Sequence, residues 1–150
     1  TPAGPDHAQV SALGGMCDYF EAFSNHHLDE KLSSNSSIKR VNDLISRQEK
    51  KILKPLLDFL KIKSEVRLLG SYEVEDRVPT VAIVIKKSNI ALAKELNELN
   101  ISVGVGDFYA VRLLEALGVD ANEGVVRLSF VHYTSGSDVE KLISGLDRHL

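Results

Sequence analysis

Near residue 65 the spacing of the apolar residues changes, and that change limits the fold more than any other feature of the chain. Before it, apolar residues recur every three or four positions, as they do in helices with one buried stripe. Over 8–23 the stripe is Val10, Leu13, Cys17 and Phe20, with Ala12, Gly14 and Gly15 leaving room for close packing. Residues 24–37 are rich in Ser, Asn, His and charge, which predicts an exposed loop with Ser36 or Ser37 capping the next helix. That helix is long. Its stripe runs through Val41, Leu44, Ile45, Ile52, Leu56, Leu57 and Leu60, while Lys50, Lys51 and Lys54 face out. Pro55 is expected to kink or restart it, because proline removes one backbone donor and crowds the preceding turn.

After residue 65 short β-rich runs alternate with helix-spaced ones. Strands are predicted over 66–69 and 80–86 as neighbours, with Pro79 at the entry to the second. A helix over 89–99 begins at Ser88 or Asn89 and leads to a strand over 101–105, and Gly104 and Gly106 mark a turn. A short helix over 110–117 ends at Gly118, a strand spans 124–133, and a helix over 137–150 is capped near Ser137 or Asp138. The order ββαβαβα predicts an α+β fold: N-terminal helices, then a small, mainly antiparallel sheet with helices on one face. Such a fold by itself implies no function.

Composition narrows the partners. The chain has 150 residues, 43% hydrophobic and 26% charged, enough for one core. Its 18 basic and 21 acidic residues are mixed along the chain, with a net charge of -3, so no basic field invites nucleic acid. One cysteine excludes an internal disulfide framework, and no apolar run is long enough to span a bilayer. A reducing cytoplasm is the expected compartment. Thr1 is expected to be a cut edge rather than a native terminus.

Several residues are candidates for chemistry. His26 and His27 with Asp29 and Glu30 contain metal-ligand types, but adjacent histidines on a polar loop seldom converge on an ion, and a solvated loop is expected instead. Cys17 falls on an apolar stripe and is expected to be a buried, inert thiol. The glycines of VGVGDFYA lack the third glycine of a dinucleotide fingerprint, since Tyr109 stands there, and a plain tight turn is expected. Tyr133 and His132 are read as packing residues.

The run VVRLSFVHYTSGSDVEKL poses a sharper question. Alternation puts Val126, Leu128, Phe130 and His132 on one face and Val125, Arg127, Ser129 and Val131 on the other. A guanidinium within such a run either keeps its head in water or, if semi-buried, needs an anion or a fan of acceptors. Both readings stay open on the residues alone.

The runs PTVAIVI, ISVGVGDFYA and LGVDANEGVVRLSFVHYTSGSDVEKLISGL, in this order and spacing, resemble the C-terminal small domain of class V aminotransferase-type enzymes dependent on pyridoxal 5'-phosphate (PLP), the cysteine desulfurase-like family. TPAGPDHAQVSALGGMCDYF is similar to the stretch that follows the family's cofactor lysine. The resemblance implies that 1–35 end a large cofactor domain, 36–63 form a connecting helix and 64–150 form the small domain. It implies a fragment whose cofactor lysine lies in a missing N-terminal PLP domain, so no catalytic residue and no covalent PLP are expected in this chain. In the family the arginine of the R-x-S-x-x-x-Y strand binds the carboxylate of the amino-acid substrate, and Arg127, Ser129 and Tyr133 occupy those places. Thr1 matches the threonine that reaches the PLP phosphate of the neighbouring subunit, which implies a homodimer. Gly106, Asp107, Phe108, Tyr109 and Ala110 match a turn that carries the sulfur-accepting cysteine in one group of desulfurases, and here the cysteine's place is Tyr109. A phenol cannot accept a persulfide, so that step is not expected at this position. A class V aminotransferase or epimerase, or an independent α+β binding or regulatory module, are the alternative readings.

Overall fold

The computed structural model describes residues 4, 6–27 and 34–150, the side chains of 34–37 aside. Thr1, Asp29 and Glu30 lie outside the described residues. The elements are α1 (His7–His27), α2 (Ser34–Lys61), β1 (Val66–Leu69), a 3-10 turn (Val74–Asp76), β2 (Thr80–Ile85), α3 (Asn89–Glu98), β3 (Gly104–Gly106), α4 (Val111–Ala116), β4 (Val125–Ser129) and α5 (Gly136–His149). The chain divides into two compact units, Thr1–Arg47 and Gln48–Leu150.

In the first unit α1 starts where the Asp6 carboxylate accepts the Ala8 amide at 2.9 Å, satisfying a donor that the first turn cannot pair internally. It runs four residues past the expected end. His26 and His27 fall in its last turn rather than on a loop; their rings pack on each other, and that of His27 on Phe23, one turn back. Most of the expected buried stripe is not buried: Val10 and Leu13 are each more than half exposed, Cys17 is exposed and Phe20 is half-buried. A Cβ on Gly14 or Gly15 would meet nothing within 4 Å. Periodicity names the face a helix offers for packing, and does not by itself bury it.

The helix α2 begins at Ser34, so Ser36 and Ser37 lie in its first turn instead of capping it. It passes through Pro55 without a restart. Pro55 and Lys51 are exposed, so water can take the Lys51 carbonyl that proline leaves without its donor. Its second half delivers Ile52, Leu53, Leu56, Leu57 and Leu60 to the core, each nearly or wholly buried. Burying one such side chain stabilises by about 1.5–3 kcal/mol.

All the strands pair antiparallel, in the order β1-β2-β4-β3. Alternation assigns the faces. Val66, Leu68, Val81, Ile83, Val126 and Leu128 point to one side and join α2, α3 and α5 in the main core. Ile85 and Val105 share that side, and on the other face Leu69, Ala82 and Val84 pack with Val125, with Leu114 of α4 and with Val119. The short α4 thus lies opposite the other helices of this unit, and Arg67 of β1 donates to the carbonyl of Leu117 at its end, at 2.6 Å.

Caps set the ends of the last helices. The Ser88 hydroxyl accepts from Ala91 at the start of α3. A capping box of Ser135 and Asp138 opens α5, so the cap is Ser135, a little ahead of its expected place. Three strands are shorter than predicted, β2 by a single residue. The strand β3 is Gly104–Gly106 itself, the residues expected to form a turn, while Ile101 and Val103 pack on the core from the extended segment before it. β4 stops at Ser129, because Val131 and Thr134 bond to each other across a turn that takes His132 and Tyr133 out of the strand. Among the described residues no helix is long and apolar enough to cross a membrane.

Candidate functional site

The face of the sheet shared with α4 carries the arginine singled out above. Register places Arg127 of β4 between Ala82 of β2 and Gly104 of β3, with Leu69 beyond Ala82. One row to one side, Val84 and Val125 are packed with α4. One row to the other, Thr80 and Ser129 pair, their hydroxyls 3.5 Å apart and exposed. Arg127 therefore stands where the covered half of the face meets the polar half. Its neighbours across the strands are the two smallest residue types, which leaves its side chain space.

Arg127 is exposed, which corrects the semi-buried reading. Its carbon Cζ lies 4.0 Å from the ring centroid of Phe108, a cation-π contact. None of the ion pairs among the described residues involves it. A π contact occupies the face of a guanidinium and leaves its N–H donors, which lie in the plane, available to a carboxylate.

The turn between β3 and α4 puts Phe108 there. Asp107 accepts from the Tyr109 amide through Oδ1 at 3.2 Å and from the Ala110 amide through its carbonyl at 2.9 Å. Phe108 and Tyr109 both take positive φ, 50° and 59°, a conformation that side chains other than glycine rarely adopt. Two such residues in succession send Phe108 onto the sheet and leave Tyr109 wholly exposed. Two glycines make the arrangement possible. A Cβ on Gly104 would come 2.9 Å from Cζ of Phe108, and a Cβ on Gly124 would come 2.4 Å from the carbonyl carbon of Gly106. The amide of buried Asn89 clamps the same seam, donating to the Glu123 carbonyl at 2.8 Å.

The structure brings Arg127 and Ser129 onto one face of β4 but leaves Tyr133 beyond the strand end, exposed, with its ring against His132. No group of three or more metal-ligand side chains occurs among the described residues. Sequence reasoning missed Phe108, whose meeting with Arg127 depends on the β3–β4 register. It also missed Arg77, the arginine that does meet a fan of acceptors: it donates to the carbonyls of Leu69, Ser71 and Thr80 and closes the connection between β1 and β2. Burial pushes its pKa down from the ordinary arginine value.

Comparison with known proteins bears on the same elements. The curated Aminotransferase-like protein FGM3 of Gibberella zeae is 28% identical over 113 residues, which cover 73% of this chain and 28% of that protein. The solved cysteine desulfurase CsdA of Escherichia coli matches with a TM-score of 0.61 and 25% identity over 72% of this chain and 25% of that one. The cysteine desulfurase of Thermococcus onnurineus NA1 shares the fold, with a TM-score of 0.65 at 24% identity, over 77% of this chain and 29% of that one. The chain thus spans between a quarter and a third of the length of these relatives. The Aminotransferase class-V family matches residues 36–142, which hold nearly all of α2, every strand and the turn that joins Phe108 to Arg127, and the chain belongs to that family.

Proposed function

We propose that this chain is the C-terminal part of a PLP-dependent, cysteine desulfurase-like enzyme acting on a small amino acid, and that Arg127 anchors the substrate's carboxylate. One observation carries the reading: an exposed guanidinium in a row of small residues, touched by a ring face and joined to no acid. Residues 1–35 would end the cofactor domain, 36–63 would connect, and 64–150 would form the small domain. Thr1 would reach the PLP phosphate of a neighbouring subunit in a homodimer.

The residues at this site fit a carboxylate and not the cofactor itself. The neighbours of Arg127 on the sheet are apolar or hydroxylic, and no lysine is among them. PLP bound in the rest of the enzyme would supply the electron sink that loosens a bond at the substrate's α carbon. Arg127 would hold the carboxylate by two parallel hydrogen bonds and so set which bond is presented. Tyr109 fills the place of the sulfur-accepting cysteine, so the persulfide route through this position is not used.

The test is amino-acid binding to the full-length protein, followed through its PLP absorbance, for wild type and Arg127→Lys. An ammonium cannot reproduce the planar fork. The expected cost is about 2–5 kcal/mol, a loss of roughly thirtyfold or more in affinity. Equal affinities, or a full-length protein without PLP absorbance, overturn the reading.

A further inference from the structure

Arg127 reaches the open part of the sheet on four single bonds, and a long side chain with no fixed partner would spend little time in any one geometry. Phe108 removes that freedom. Its ring lies against the guanidinium at 4.0 Å and is itself held on two sides. On one side it packs with the cluster of Leu114, Val119 and Val125. On the other, Gly104 leaves it a space that one methyl group would close. The backbone adopts positive φ at Phe108 and Tyr109 to place it so, and such conformations persist only where the surroundings over-determine them.

We infer that Phe108 is a positioning residue: its ring fixes the plane of the Arg127 guanidinium, and with it the direction of the N–H fork that meets a substrate carboxylate. The inference rests on the carboxylate reading of Arg127 and deepens it. A ring that merely filled the core would affect all ligands alike. A ring that aims the fork matters only to ligands that carry a carboxylate.

The experiment compares L-alanine with L-alaninamide, which lacks the carboxylate, binding to the full-length holoenzyme and read by cofactor absorbance. Phe108→Leu keeps apolar bulk and removes the π face; it should weaken L-alanine about tenfold and L-alaninamide less than about twofold. Phe108→Tyr restores the π face and should return L-alanine to within about twofold of wild type. Gly104→Ala displaces the ring without removing it and should repeat the selective loss, which decides the matter if Phe108→Leu does not fold. If Arg127→Lys weakens L-alanine selectively while Phe108→Leu, or in its place Gly104→Ala, does not, the inference about Phe108 is overturned and the carboxylate reading stands. If Arg127→Lys has no selective effect, both are overturned.

Discussion

Arg77 and Arg127 belong to the same sheet and have opposite surroundings. At the corner between β1 and β2, Nη1 and Nη2 of Arg77 donate to the backbone carbonyls of Leu69, Ser71 and Thr80, and the side chain acts as a staple for the connection, while its buried Nε has no protein partner among the described residues. At the turn between β3 and α4, Arg127 meets an aromatic face, and no carbonyl or carboxylate among the described residues takes its N–H groups. The contrast teaches how to read an arginine for function. Donors spent on backbone carbonyls mark a structural role, because removing them leaves those carbonyls without a protein partner. A filled face with open edges marks a residue prepared for an anion.

The largest effect should come from the frame of the Arg127 turn. Gly124→Ala forces a Cβ into the carbonyl of Gly106 at a residue with φ of 65°. The expected loss in urea denaturation is about 3 kcal/mol or more, with hydrogen exchange at 104–110 rising before exchange near Arg77. Protection lost equally at both places would show that the two corners are one cooperative unit and would break the comparison.

Next in size is Arg77→Met, which keeps the apolar stem and removes the donors. A stability loss of about 2 kcal/mol is expected, with amino-acid binding by the full-length protein within about twofold of wild type. A large binding defect at wild-type stability would reverse the roles given to the two arginines.

Arg127→Lys should do the reverse, changing stability by less than about 0.5 kcal/mol while weakening binding. Denaturation of the variant sharpens the contrast if the midpoint holds, and a shift as large as that of Arg77→Met would make Arg127 a structural residue.

The smallest effect concerns pH and serves as a control away from both corners. The Ser135 hydroxyl, then the Ser135 amide, hold the Asp138 carboxyl below its ordinary range, with Lys141 adding to this. A lowered folded-state pKa means that the cap's contribution is present above the unfolded value and is lost as pH falls through the folded one. Stability should therefore decline slightly below about pH 4, and Asp138→Asn should flatten that decline without altering either arginine. A decline centred near neutrality would assign the titration to another group.

Much of the second unit was legible from local signals. The cap of α3, and the alternation that sends Val126 and Leu128 inward and Arg127 outward, are written in residues close together in the chain. The resemblance to class V aminotransferases was carried by the same stretches. Less of the candidate site could be read, because its contacts join residues distant in sequence. Gly104 and Gly106 resembled a turn until the pairing with Arg127 and Val125 made them a strand. Cys17 lies on a helical stripe, yet its exposure depends on surfaces its own helix cannot specify.

By itself the sequence determined the kind and order of the elements, the face on which each residue of β4 lies and the identity of the arginine that leaves the core, since propensity, capping and alternation act over a few residues. Only the tertiary structure decided that α4 crosses to the second face, that Arg77 meets three carbonyls and that Phe108 lies beneath Arg127. Those outcomes follow from strand register and from two glycines that let backbone and ring approach closely, and such approaches are set between segments rather than within them.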